Sequence, residues 1–115
     1  MIQQTYEVPE ALLARCAGRT DLAQRVVNAF VAQLETDIPQ LSHELSQGNF
    51  EEVSKLAHRI KGAASNVDAE AIRASADQIE LFAKSSETED LSLELEKLTL
   101  HWREYVELTT SFLSS

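Results

Sequence analysis

Apolar residues recur at spacings of three and four along almost the whole chain, and very little interrupts them. Three glycines (Gly18, Gly48, Gly62) and two prolines (Pro9, Pro39) are the only strong breakers in 115 residues. Helical periodicity with so few breakers predicts long amphipathic helices rather than many short strands. Pro9 suits the first position of a short first helix that stops near Gly18. Thr20 or Asp21 can cap a second helix carrying Leu22, Val26, Val27, Phe30, Leu34, Ile38, Leu41 and Leu45. Pro39 lies within that stripe and is expected to kink the helix rather than end it, and Gly48 closes it. Asn49 can cap a third helix built on Phe50, Val53, Leu56, Ala57, Ile60, Ala63, Ala64 and Val67. Asp68 is the expected cap of a fourth, with Ala69, Ile72, Ala76, Ile79 and Ala83 facing inward. The polar run Ser85 to Asp90 reads as a turn before a fifth helix on Leu91, Leu95, Leu98, Trp102, Tyr105 and Phe112.

Short connections between long amphipathic helices make neighbours antiparallel. The expected architecture is all-α: an up-down-up-down four-helix bundle with a short additional N-terminal helix, in one domain spanning 1–115. A net charge of −9 opposes binding to nucleic acid and to anionic membrane surfaces, and favours a soluble monomer. Cys16 is the single cysteine, so an internal disulfide and a cysteine metal cluster are both excluded; it reads as a small, half-buried helix residue. Met1 to Glu7 lack a basic start and an apolar run, and no stretch approaches a membrane span, so a cytoplasmic location is expected.

The third helix carries one residue out of keeping with a plain bundle. At about 100° per residue, His58 lies roughly 150° from the mean direction of that helix's apolar positions. It faces outward, with Lys55 one turn before it, Gly62 one turn after it, and Lys61 on the flank. A mid-helix glycine costs about 1 kcal/mol relative to alanine, and alanine is used freely nearby at Ala57, Ala63 and Ala64. The cost is rational if another molecule must approach the backbone beside the histidine. An imidazole is a competent nucleophile near neutral pH. An ammonium such as that of Lys61 would stabilise a dianionic phosphoryl group placed on it.

The run Ala57-His58-Arg59-Ile60-Lys61-Gly62-Ala63-Ala64-Ser65-Asn66-Val67, followed by Ala69 and Ile72, resembles the signature of histidine-containing phosphotransfer (HPt) domains. That signature is a histidine, then lysine-glycine at the third and fourth positions, then small residues and an apolar one. The resemblance covers essentially the whole chain and implies a phosphoryl carrier, with His58 as acceptor, Lys61 stabilising charge and Gly62 permitting close approach. It also implies that Glu80 orients the imidazole through its other ring nitrogen, and that Lys84, one turn later, stands near the phosphoryl group. The implied partners are response-regulator receiver domains, with a hybrid sensor histidine kinase as a further candidate. One receiver would donate to His58 from its aspartate and another would accept. Lys55, Arg59 and Ser65 would border the docking surface, with Leu12 and Leu13 adding apolar contact. No cofactor or metal is implied on this chain; magnesium would sit on the receiver alone. Many family members carry glycine where this chain has Asp68.

Other readings fare worse. The chain has no glycine-rich phosphate loop, so it is not expected to be an ATP-using enzyme. Sensor-kinase dimerisation domains place an acidic residue directly after the histidine, whereas Arg59 follows here. A di-iron bundle needs Glu-x-x-His pairs, and no histidine has an acid three residues before it. His43 and His101 read as solvated helix histidines, and Trp102 and Tyr105 as core packing. The alternative is a helical adaptor or receiver-binding module whose histidine is never phosphorylated, which leaves the Lys61-Gly62 pairing without a reason.

Overall fold

The computed structural model describes residues 10–114, with side chains from 11 to 109. Pro9 and the side chain of Phe112 lie outside these. Five helices follow one another: α1 (Glu10–Arg15), α2 (Thr20–Ser46), α3 (Phe50–Asn66), α4 (Glu70–Ser85) and α5 (Thr88–Ser114). No strand occurs among the described residues. α2 packs on α3 and α5, α3 on α4, and α4 on α5, which closes a ring of four helices, while α1 rests on α2. The molecule measures 44 × 23 × 19 Å. A 27-residue helix is about 40 Å long, so α2 and α5 run along the long axis.

The predicted stripes meet in one core. Leu34 and Leu41 from α2, Ile60 from α3, Ile72 and Ile79 from α4, and Leu91 and Leu98 from α5 are its largest fully buried side chains. Phe30 meets Tyr105 edge to face, with ring centroids 5.3 Å apart, a favoured aromatic geometry. Tyr105 is partly buried against this core and donates its hydroxyl to the Val67 carbonyl at 3.4 Å. Burial, and secondarily the charge of Asp68, pushes its phenol well above the ordinary value. Pro39 lies inside α2, which continues to Ser46.

The corners differ most from expectation. None of Thr20, Asp21, Asn49 or Asp68 caps a helix through its side chain. The N-cap positions of α2, α3 and α4 are Arg19, Asn49 and Ala69, each without a side-chain cap bond. Asn49 instead donates its amide to Glu44 at 2.7 Å. Each helix from α1 to α4 ends in a Schellman closure, in which one residue turns left-handed while two amides reach back to the last turn. After α3, Asp68 donates its N–H to the Ser65 carbonyl and Ala69 to that of Ala64. The residues with left-handed φ are Ala17, Gly18, Gly48, Asp68 and Ser86. The turn before α5 is accordingly shorter than the polar run suggests, comprising Ser86 and Glu87. Cys16 is buried in the turn after α1 rather than half-buried on a helix.

Asp68 thus occupies the left-handed position, with φ +55°, and its carboxylate accepts from Arg15 at 3.2 Å. An aspartate tolerates this conformation better than an alanine does, and glycine better still. Asp68→Gly is therefore expected to be about 1 kcal/mol more stable than Asp68→Ala in urea unfolding. Both lose the same exposed ion pair, which is worth under about 1 kcal/mol.

Candidate functional site

The inward face of α3 is set by Val53, Leu56, Ala57, Ile60 and Ala64, all buried. Their burial fixes the rotation of the helix and turns His58 outward. Its side chain is 70% exposed. On α4, burial of Ile72, Ala76, Ile79 and Ala83 brings Glu80 to the seam against α3, with its side chain only 12% exposed.

His58 Nδ1 lies 3.2 Å from Glu80 Oε2. Lys61 Nζ stands 2.8 Å from the other carboxylate oxygen of Glu80 and 3.2 Å from Asp77 Oδ1. Lys84 Nζ is 3.6 Å from Glu80 Oε2. The Lys61 ammonium holds the Glu80 carboxyl below the ordinary carboxylate value against its burial, with His58 and Lys84 assisting. In return Glu80, then Asp77, raises Lys61 above the ordinary lysine value. Glu80 is therefore ionised at neutral pH, and an ionised carboxylate can only accept a hydrogen bond. In the neutral imidazole the ring proton accordingly sits on Nδ1, facing Glu80, which leaves the lone pair on Nε2.

Gly62 lies one turn beyond His58 on the same face, and a Cβ built there would meet nothing within 4 Å. The chain itself gives no reason to exclude alanine. Lys55 is exposed and pairs with Glu52 at 3.5 Å. Ser65 is exposed and donates its hydroxyl to the Lys61 carbonyl. Arg59 reaches across to α2, where Nη2 lies 2.6 Å from Asp37 Oδ1. Leu12 is buried in the core and offers no surface for docking, because α1 uses it to seat on the bundle; Leu13 beside it is partly buried against the same core. His43 is exposed, whereas His101 is part-buried and lies 3.3 Å from Glu104.

Sequence reasoning grouped His58, Lys61, Glu80 and Lys84, and the structure brings them together. It missed Asp77 and Asp37. Asp77 precedes Glu80 by one turn on α4, so projecting that helix would have exposed it. Asp37 lies within the apolar stripe of α2 between Leu34, Ile38 and Leu41, and a charge in such a stripe signals a paired group. Among the described residues, no group of three or more His, Cys, Asp or Glu side chains is placed to hold a metal. None of the described helices is long and apolar enough to cross a membrane.

A family model described as the Hpt domain matches residues 25–110, a span that contains every member of this cluster. No curated protein and no solved structure gives a significant match to the chain.

Proposed function

Because the chain belongs to the Hpt domain family, whose members transfer phosphoryl groups in two-component phosphorelays, we propose that His58 is its phosphoryl acceptor. It would take the group from the aspartate of one response-regulator receiver and pass it to another. The observation that carries this reading is the exposed imidazole with Nδ1 held by an ionised carboxylate, since that arrangement aims a lone pair outward. Attack through Nε2 leaves positive charge on the ring, and Glu80 is positioned to balance it. Lys61 and Lys84 supply charge for the phosphoryl oxygens, in the way preorganised cations stabilise developing anions. Positioning and charge are most of what phosphoryl transfer requires of a protein. The receiver would bring the aspartate and its magnesium ion, so no cofactor is assigned to this chain. A hybrid sensor kinase is a further candidate partner. The carrier itself would act as a cytoplasmic monomer of one domain, an antiparallel up-down-up-down bundle with α1 appended. Lys55, Arg59, Ser65 and the exposed part of Leu13 border the face that would receive the partner.

The test is incubation of the chain with a phosphorylated receiver, followed by mapping of the label under alkaline conditions that preserve phosphohistidine. Phosphate on His58 is expected. Its absence across receivers that phosphorylate other Hpt domains overturns the proposal.

Gly62 gives a second, oppositely signed expectation. Gly62→Ala fills open space on a helix and should stabilise the chain by about 0.5–1 kcal/mol. The added methyl group should also obstruct the receiver and slow transfer by roughly tenfold to a hundredfold, the scale of a small misplacement of reacting groups. Thermal unfolding and single-turnover transfer rates on the same sample check both signs.

A further inference from the structure

We propose that Asp77 is a positioning residue that restrains Lys61 in the resting site and thereby limits how far the phosphoryl equilibrium lies toward His58. The inference rests on His58 being the acceptor and adds a residue that neither the motif nor the family match assigns.

The Lys61 ammonium stands between two carboxylates, 2.8 Å from Glu80 and 3.2 Å from Asp77, and its side chain is only 28% exposed. Glu80 has a second task, since its other oxygen meets His58. Asp77 does not meet His58. Among the described residues its one ion-pair partner is Lys61, while the nearby Arg73 is taken by Glu70 at 2.6 Å. The formal charges of Lys61, Lys84, Glu80 and Asp77 cancel, so the resting cluster is neutral.

Transfer breaks that balance. The Nε2 lone pair forms the N–P bond as the P–O bond to the receiver's aspartate breaks, and that electron pair leaves with the carboxylate. The Nδ1 proton stays on the ring against Glu80. The cluster then carries a dianionic phosphoryl group on one face. An ammonium has three donors; Lys61 donates one to Asp77 and lies in ion-pair contact with Glu80, so turning toward the phosphoryl oxygens means loosening one of these contacts. Glu80 is also needed by the ring, which leaves the Asp77 contact as the one to yield. Asp77 therefore competes with the phosphoryl group for the same cation.

The experiment compares wild type, Asp77→Asn, Lys61→Met and the double variant, each equilibrated with one phosphorylated receiver. The readouts are the fraction of label on His58 and its hydrolysis half-life. Asp77→Asn should shift the partition toward His58 by about three- to tenfold, the scale expected when a cation released from one partly screened carboxylate becomes available to a dianion. In the Lys61→Met background the same substitution should change it less than about twofold, because the cation through which Asp77 acts is gone. Asp77→Glu should behave as wild type. An unchanged partition in Asp77→Asn, or an equal shift with and without Lys61, overturns the inference while leaving His58 as acceptor. Absence of label on His58 in the wild type overturns the phosphorelay reading itself and this inference with it.

Discussion

His58→Gln is expected to abolish acid-labile phosphorylation completely while leaving the unfolding midpoint almost unchanged. The side chain is 70% exposed and makes one hydrogen bond, to Glu80. A glutamine amide can donate to the same carboxylate, so the stability change should stay within about 0.5 kcal/mol, as for ordinary surface substitutions. The amide nitrogen has no lone pair free for attack on phosphorus, so transfer should fall below detection rather than merely slow. His43→Gln and His101→Gln serve as controls and should transfer at the wild-type rate. His43 has no lysine-carboxylate cluster beside it, and the ring of His101 is engaged by Glu104 on its own helix. Retained binding of the unphosphorylated receiver by His58→Gln would show that chemistry and not docking had been removed. Label persisting on the variant, stable to alkali and lost in acid, would move the acceptor to another histidine and sink the assignment.

The direction of His58 was legible because it depends only on helix period and on which residues are apolar, and in α3 Val53, Leu56, Ala57, Ile60 and Ala64 are buried as that period requires. The corners were not. Reading helix ends from glycine works at Gly18 and Gly48, where φ is +76° and +72°, but Asp68 and Ser86 take the same left-handed role without being glycine, and Ala17 shares it with Gly18. At those corners the packed helices on either side supply more energy than the roughly 1–2 kcal/mol that a left-handed non-glycine residue costs. Asp68 illustrates the ambiguity. An aspartate ahead of an apolar run reads as a cap, yet the chain uses it as the closing residue of the preceding helix and directs its carboxylate to Arg15 on α1. Leu12 was misassigned for a related reason. A six-residue helix has too few turns for its apolar face to be separated by periodicity alone, and only the packing of α1 on α2 shows that Leu12 points inward.

Arg59→Ala is expected to produce the largest loss of stability of any substitution at the rim of the site, and Asp37→Leu a much smaller one. The Asp37 side chain is 3% exposed, while that of Arg59 is 57% exposed. The guanidinium closes on the carboxylate with two contacts, 2.6 Å to Oδ1 and 3.4 Å to Oδ2, and Gln33 donates to Oδ2 at 3.2 Å. Removing the arginine leaves a buried charge with one neutral donor. Breaking such a pair from one side costs about 3–5 kcal/mol when no water reaches the remaining ion. Here the space vacated by an exposed arginine admits water, so about 2–3 kcal/mol is the expected loss. Replacing Asp37 by leucine removes the ion that needed a partner, continues the apolar stripe of Leu34, Ile38 and Leu41, and releases Arg59 to solvent. Its cost should be about 1 kcal/mol or less, because exchanging a buried ion for a packed hydrophobe is often neutral. The double variant should then be more stable than Arg59→Ala alone. Arg59→Lys should recover only part of the loss, since a single ammonium cannot reproduce a forked contact. Urea unfolding of the four chains gives the order. If Asp37→Leu costs as much as Arg59→Ala, the arginine is not serving a buried charge. Its place beside His58 would then have to be explained by contact with the receiver instead.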